Sequence, residues 1–122
     1  MVDACGRRLL TSYGLRSLAP ADPRYQGHYG GDRYQRDGAY HQGTVWGWLL
    51  GPFCLAHFRV YNDPQEALGF LKPMADHLSA AGLGSLSEIF DGDLPLTPRG
   101  CIAQAWTVAE VIRAWQEVSA AL

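Results

Sequence analysis

Glu88 lies among Leu86, Ile89 and Phe90, just ahead of an acidic Asp91-Gly92-Asp93 turn. A glutamate on a solvated face seldom has such neighbours. A carboxyl group in a pocket wall often does, because apolar surroundings and local hydrogen bonds tune it for general acid or base work. The competing reading is a glutamate that caps or ion-pairs at a turn, and two aspartates around a glycine are ordinary turn chemistry. A second group occupies residues 37–48, DGAYHQGTVWGW, which gathers Tyr40, His41, Gln42, Thr44, Trp46 and Trp48. Flat rings suit the faces of pyranoses, and planar amides or imidazoles suit their hydroxyls. The same residue types also build aromatic cores. A third group is RGCIAQAW, residues 99–106, where the amide Gln104 and Trp106 follow the Glu88 segment after a short loop. The candidate set is therefore Glu88 for catalysis, with Tyr40, His41, Gln42, Trp46, Asp91, Gln104 and Trp106 for substrate. Tyr40, His41, Trp46 and Gln104 are expected to line one concavity with Glu88.

Other chemistries find little support. The chain has no GxGxxG, no phosphate-binding loop, no HExxH and no GxSxG, so no cofactor is expected. His28, His41, His57 and His77 are scattered without metal-ligand spacing, so no metal is expected. The net charge of −2 offers no basic surface for nucleic acid. Three widely spaced cysteines, Cys5, Cys54 and Cys101, read as reduced thiols of a cytoplasmic protein. The N-terminus lacks the basic and apolar regions of a signal peptide. Residues 43–58 carry no Asp, Glu, Lys or Arg, but they fall about one turn short of a ~20-residue membrane span. A buried helix accounts for them better than a membrane.

The elements that would position these groups read as helices joined by long loops. Asp3 to Thr11 reads as the tail of a helix stopped by Gly14. Residues 19–38 read as a loop whose aromatics argue for a function. A helix is expected from Gly43 to about Tyr61, kinked at Pro52, with Gly43, Gly47 and Gly51 on one face where another backbone can approach. It is apolar all round, which suits burial on every side. Asp63-Pro64-x-Glu66 is a helix-start signature. The apolar spacing that follows predicts a helix to Gly82, bent or split at Pro73. The last helix is placed from Thr97-Pro98, with Ile102, Ala105, Ala109, Ile112 and Trp115 as its buried stripe and Arg113, Gln116 and Glu117 outward. Only YGLRSL and SLSEIF offer short extended pieces. The expected class is all-α, with about four helices in a single domain of 122 residues.

Three segments taken together, YHQGTVWGWLLGPF (40–53), GLGSLSEIFDGD (82–93) and PRGCIAQAWTVAEVIRAW (98–115), resemble the C-terminal part of microbial glycogen debranching enzymes of the amylo-α-1,6-glucosidase kind. The resemblance extends over nearly the whole chain. It implies a partial (α/α)6 toroid, in which residues 1–122 are a C-terminal fragment of the glucosidase domain. It implies that Glu88 is the general base of an inverting hydrolysis of α-1,6-linked glucose at glycogen branch points. The general acid would come from a segment that nothing in this chain matches. Glycogen or a branched α-glucan is the implied substrate, and an upstream polypeptide completing the barrel the implied partner. One local departure is Gly47, where the family usually has proline. Two rivals stand beside this reading: a helical carbohydrate-binding or interaction module without chemistry, and a piece of another glucoamylase- or trehalase-like glycoside hydrolase.

Overall fold

The computed structural model describes residues 1–122. The element order is α1 (Val2–Arg8), β1 (Leu10–Thr11), β2 (Gly14–Arg16), α2 (Arg33–Ala39), β3 (Val45–Trp46), a 3-10 turn (Gly47–Leu49), α3 (Leu50–Tyr61), α4 (Pro64–Gly69), α5 (Lys72–His77), β4 (Ile89–Phe90), β5 (Pro98–Arg99) and α6 (Ala105–Ser119). The five strands form one antiparallel sheet in sequential order. The molecule is thus mixed α and β. The all-α expectation, and with it the partial toroid of about four helices, is corrected by this sheet and by six α-helices.

The reason is strand length. Each strand is two or three residues long, too short for a period of two to show in sequence. YGLRSL and SLSEIF do hold β2 and β4. β3, however, was hidden in the apolar run from Gly43, because valine and tryptophan serve a buried helix and a strand alike. Pro98 heads β5 rather than the last helix. Proline is tolerated there because β5 is an edge strand and needs no donor on its outer side.

Partners in register lie opposite one another: Leu15 with Trp46, Trp46 with Ile89, and Ile89 with Arg99. The neighbouring row pairs Val45 with Phe90. Val45 and Phe90 join the main core with Leu50, Cys54, Leu55, Ala67, Leu71, Met74, Leu86, Ala114 and Val118. Helix α3 packs chiefly on α6 and also meets α4 and α1, so the chain itself supplies most of its cover. Gly51 allows the close approach to α6: a Cβ there would lie 2.4 Å from the Glu110 carbonyl oxygen. Gly43 and Gly47 precede the helix instead of extending its glycine face. Pro52 sits in the first turn of α3, where its missing N–H would have no intrahelical partner anyway, so it causes no interior break.

The helix from Asp63 begins as expected, with the Asp63 carboxylate accepting from the Glu66 N–H at 2.9 Å. It splits into α4 and α5 just ahead of Pro73. Residues 19–38 are not all loop. Asp32 and Gln35 form a reciprocal capping box that starts α2. Helix α6 begins seven residues later than placed, at Ala105. Its buried positions are Thr107, Ala114 and Val118, while Ile102, Ile112 and Trp115 are exposed. No helix is long and apolar enough to cross a membrane.

Candidate active site

Glu88 immediately precedes β4, and its backbone is gripped from both sides. Its N–H donates to the Cys101 carbonyl at 2.9 Å, and its carbonyl accepts from the Gly47 N–H at 3.2 Å. A proline at position 47 could not make that second bond. A side chain there would also press on Thr107, since a Cβ would stand 2.7 Å from Thr107 Cγ2. Glycine at position 47 therefore ties the aromatic segment to the Glu88 backbone.

The Glu88 carboxylate is held at both oxygens by neutral donors. Tyr40 donates its hydroxyl to Oε1. The Cys101 N–H donates to Oε2 at 2.8 Å. Gly100 makes room for this arrangement: it has φ +65°, and a Cβ there would lie 2.5 Å from Oε2. Burial, and then the bond to Glu88, raise the Tyr40 hydroxyl well above its ordinary value, so it stays a donor at neutral pH.

Tyr40 is in turn fixed by its place at the end of α2. Its carbonyl accepts from Thr44 Oγ1 at 2.6 Å and from Trp46 Nε1 at 3.1 Å. Its ring stands edge-on to Trp46 at a centroid distance of 4.7 Å. His41 stacks on the Trp46 ring at 5.0 Å, the planes within 2°. Trp48 and Trp106 stack at 4.2 Å. Together with Ser17 and Leu49, His41, Trp46, Trp48 and Trp106 line a hollow of about 240 Å³. Glu88, Tyr40 and Gln104 do not line it. Tyr40 connects the two regions, touching Trp46 with its ring and Glu88 with its hydroxyl.

The remaining candidates are placed as follows. Asp91 is buried, and its carboxylate meets the Arg99 guanidinium at 3.0–3.2 Å, the Tyr29 N–H at 2.9 Å and His28 Nδ1 at 3.3 Å. It is a carboxylate already spoken for. Gln104 precedes the first turn of α6, and its N–H donates to the Leu86 carbonyl at 2.8 Å. Gln42 anchors the loop through its carbonyl, which accepts from the Gln26 N–H at 2.7 Å. Both amides are half-buried.

Sequence reasoning missed Arg99, Gly100 and the Cys101 backbone, although all three stand in a segment it quoted. Arg99 carried a signal, being a lone cation near an acidic turn. The Cys101 N–H carried none, because a backbone donor leaves no trace in residue type. Tyr25, whose hydroxyl donates to Asp93 at 2.9 Å, was noted only as a loop aromatic.

A family of known proteins matches this chain over residues 1–113, and its description is amylo-alpha-1,6-glucosidase. The chain belongs to that family. The match makes it a piece of a glycogen-debranching type of glycoside hydrolase, a class whose substrates are glucans. The amylo-alpha-1,6-glucosidase match takes in the first two motif segments quoted above, all but the last two residues of the third, and every candidate residue, leaving outside it only the end of α6 and the last residues.

Proposed function

We propose that this chain supplies the water-activating carboxylate, Glu88, for inverting hydrolysis of α-1,6-linked glucose at the branch points of glycogen or a related α-glucan. The observation that carries the reading is the pair of neutral donors on Glu88. A structural glutamate at a turn would be expected to meet a cation, as Asp91 meets Arg99. Glu88 is instead oriented by a tyrosine hydroxyl and a backbone N–H, which fix the carboxylate without quenching its charge. In an inverting reaction such a base takes a proton from water while a carboxylic acid on the other side of the glycosidic bond protonates the leaving oxygen. The two carboxyls are then about 6.5–9.5 Å apart.

The acid belongs to another segment of polypeptide. Asp91 is bound to Arg99, and Asp93 accepts from Tyr25. Asp32 caps α2, and Asp37 pairs with Arg33 at 3.6 Å. None of these is free to face Glu88 across a sugar ring. The hollow formed by His41, Trp46, Trp48 and Trp106 offers aromatic surface for glucose units of the branch, while Gln42 and Gln104, outside that hollow, would meet hydroxyls nearer Glu88. Asp91 serves this site by holding Arg99, the His28 ring and the Tyr29 backbone in place.

The test is glucose release from glycogen limit dextrin. The chain alone is expected to release none. Mixed with the product of a reading frame immediately upstream, it is expected to release glucose, and Glu88→Gln in the mixture is expected to abolish release. Robust release by the lone chain, or full activity of the Glu88→Gln mixture, would refute the reading.

A further inference from the structure

A large hollow lies away from Glu88. It measures about 650 Å³ and is lined by Arg7 and Arg8 from the last turn of α1, Arg16 from β2, and the 19–23 loop. Two of that loop's lining residues are prolines, Pro20 and Pro23, and the one acidic lining residue is Asp22. Asp22 does not neutralise the arginines: Arg24, outside the hollow, clamps both its oxygens at 3.0 Å and holds its carboxyl down to about 2. Arg7, Arg8 and Arg16 take part in no ion pair. In a chain of net charge −2, three guanidinium groups from two different elements, none of them in a direct ion pair, line one cavity. Arginines at a helix C-terminus also favour the helix dipole, which accounts for Arg7 and Arg8 but not for Arg16.

We propose that this hollow is a binding site for a phosphate monoester on a small molecule. Charge sets the phosphate: three guanidinium groups exceed what a single carboxylate can balance, and their planar forks match phosphate oxygens. Size sets the ester, because the hollow falls within the range of small-molecule sites and is far larger than a free phosphate ion. Ala19, Pro20, Ala21 and Pro23 give the uncharged body an apolar, stiff wall. Arg16 is half-buried and pre-oriented, because its Nε donates to the Gly92 carbonyl at 2.8 Å. That bond also links the hollow to the turn beside Asp91. The proposal is independent of the role given to Glu88.

The experiment titrates the full chain with glucose 6-phosphate, inorganic phosphate and glucose, followed by amide chemical shifts at fixed ionic strength. Saturable shifts with glucose 6-phosphate are expected at residues 7, 8 and 16–23, with a smaller one at Gly92. Inorganic phosphate should act at the same residues about tenfold more weakly, and glucose should not act there. Arg8→Gln, at an exposed position, should weaken glucose 6-phosphate binding about tenfold, and Arg16→Gln at least as much. The proposal is overturned if glucose 6-phosphate gives no saturable shift at these residues. It is also overturned if phosphate binds as well as the ester, or if Arg8→Gln leaves the affinity unchanged.

Discussion

The Tyr40 hydroxyl hydrogen-bonds the Glu88 carboxylate across 48 residues of chain. This contact joins the aromatic segment to the acidic one. Tyr40→Phe is expected to keep the ring on Trp46 and to remove only the donor. A hydrogen bond to a charged group is worth about 1.5–3 kcal/mol, so glucose release by the assembled enzyme should fall roughly tenfold to a hundredfold. The same variant makes a pH prediction. The Tyr40 hydroxyl ionises well above its ordinary value of 10.0, and Tyr40→Phe should remove absorbance change only from the most alkaline part of a tyrosine titration.

Gly100 and Gly84 both have positive φ, but only Gly100 touches the candidate base. Alanine at either position carries a backbone strain of about 1–2 kcal/mol. Gly100→Ala should in addition displace the Glu88 carboxylate and abolish glucose release by the assembled enzyme. Gly84→Ala, with open space around it, should lower the thermal midpoint while sparing activity. Equal activity in the two variants would contradict this placement of Gly100.

Asp91→Asn leaves acceptors for the Tyr29 N–H but breaks the charge pairing with Arg99. The cost should be roughly 2 kcal/mol, read as a lower urea midpoint with unchanged slope. A variant as stable as the parent would show that this carboxylate is not structural.

His77 is buried, accepts from the Ser87 N–H at 3.3 Å and lies 3.0 Å from the Ser87 hydroxyl, and burial lowers its pKa below 6.5. The unfolded chain therefore takes up its proton first as pH falls. Stability should be flat with respect to His77 above 6.5 and decline below it, through the window down to the folded value. His77→Gln should flatten that acid-side slope in urea unfolding at pH 5 and pH 7.5.

Legibility in the sequence followed the range of the interactions. The Asp63-Pro64 start of α4 and the break near Pro73 were readable, because capping and proline act within a few residues. The Asp32/Gln35 capping box was equally local, yet glycines and tyrosines around it disguised the helix it starts. The sheet was not readable as a sheet, since Val45 and Phe90 declare themselves strand only by meeting each other. Glu88 stood out by its apolar neighbours, but its partners Tyr40 and Cys101 are long-range. The Trp46–His41 stack came from residues already quoted together. Their separation from Glu88, bridged by Tyr40, needed three dimensions.

The sequential order of the sheet also has a temporal meaning. During synthesis β3 leaves the ribosome without its later partner β4, for Ile89 follows Trp46 by roughly forty residues. At about 5–20 residues per second that is a wait of several seconds. Throughout it, Val45 and Trp46 remain apolar strand residues with one edge open, and α3 lacks the helix α6 that later covers it. The nascent chain is then most open to chaperone capture or mispairing. A ribosome stalled before residue 89 should display it as protease-sensitive, and one stalled after α6 has emerged should not.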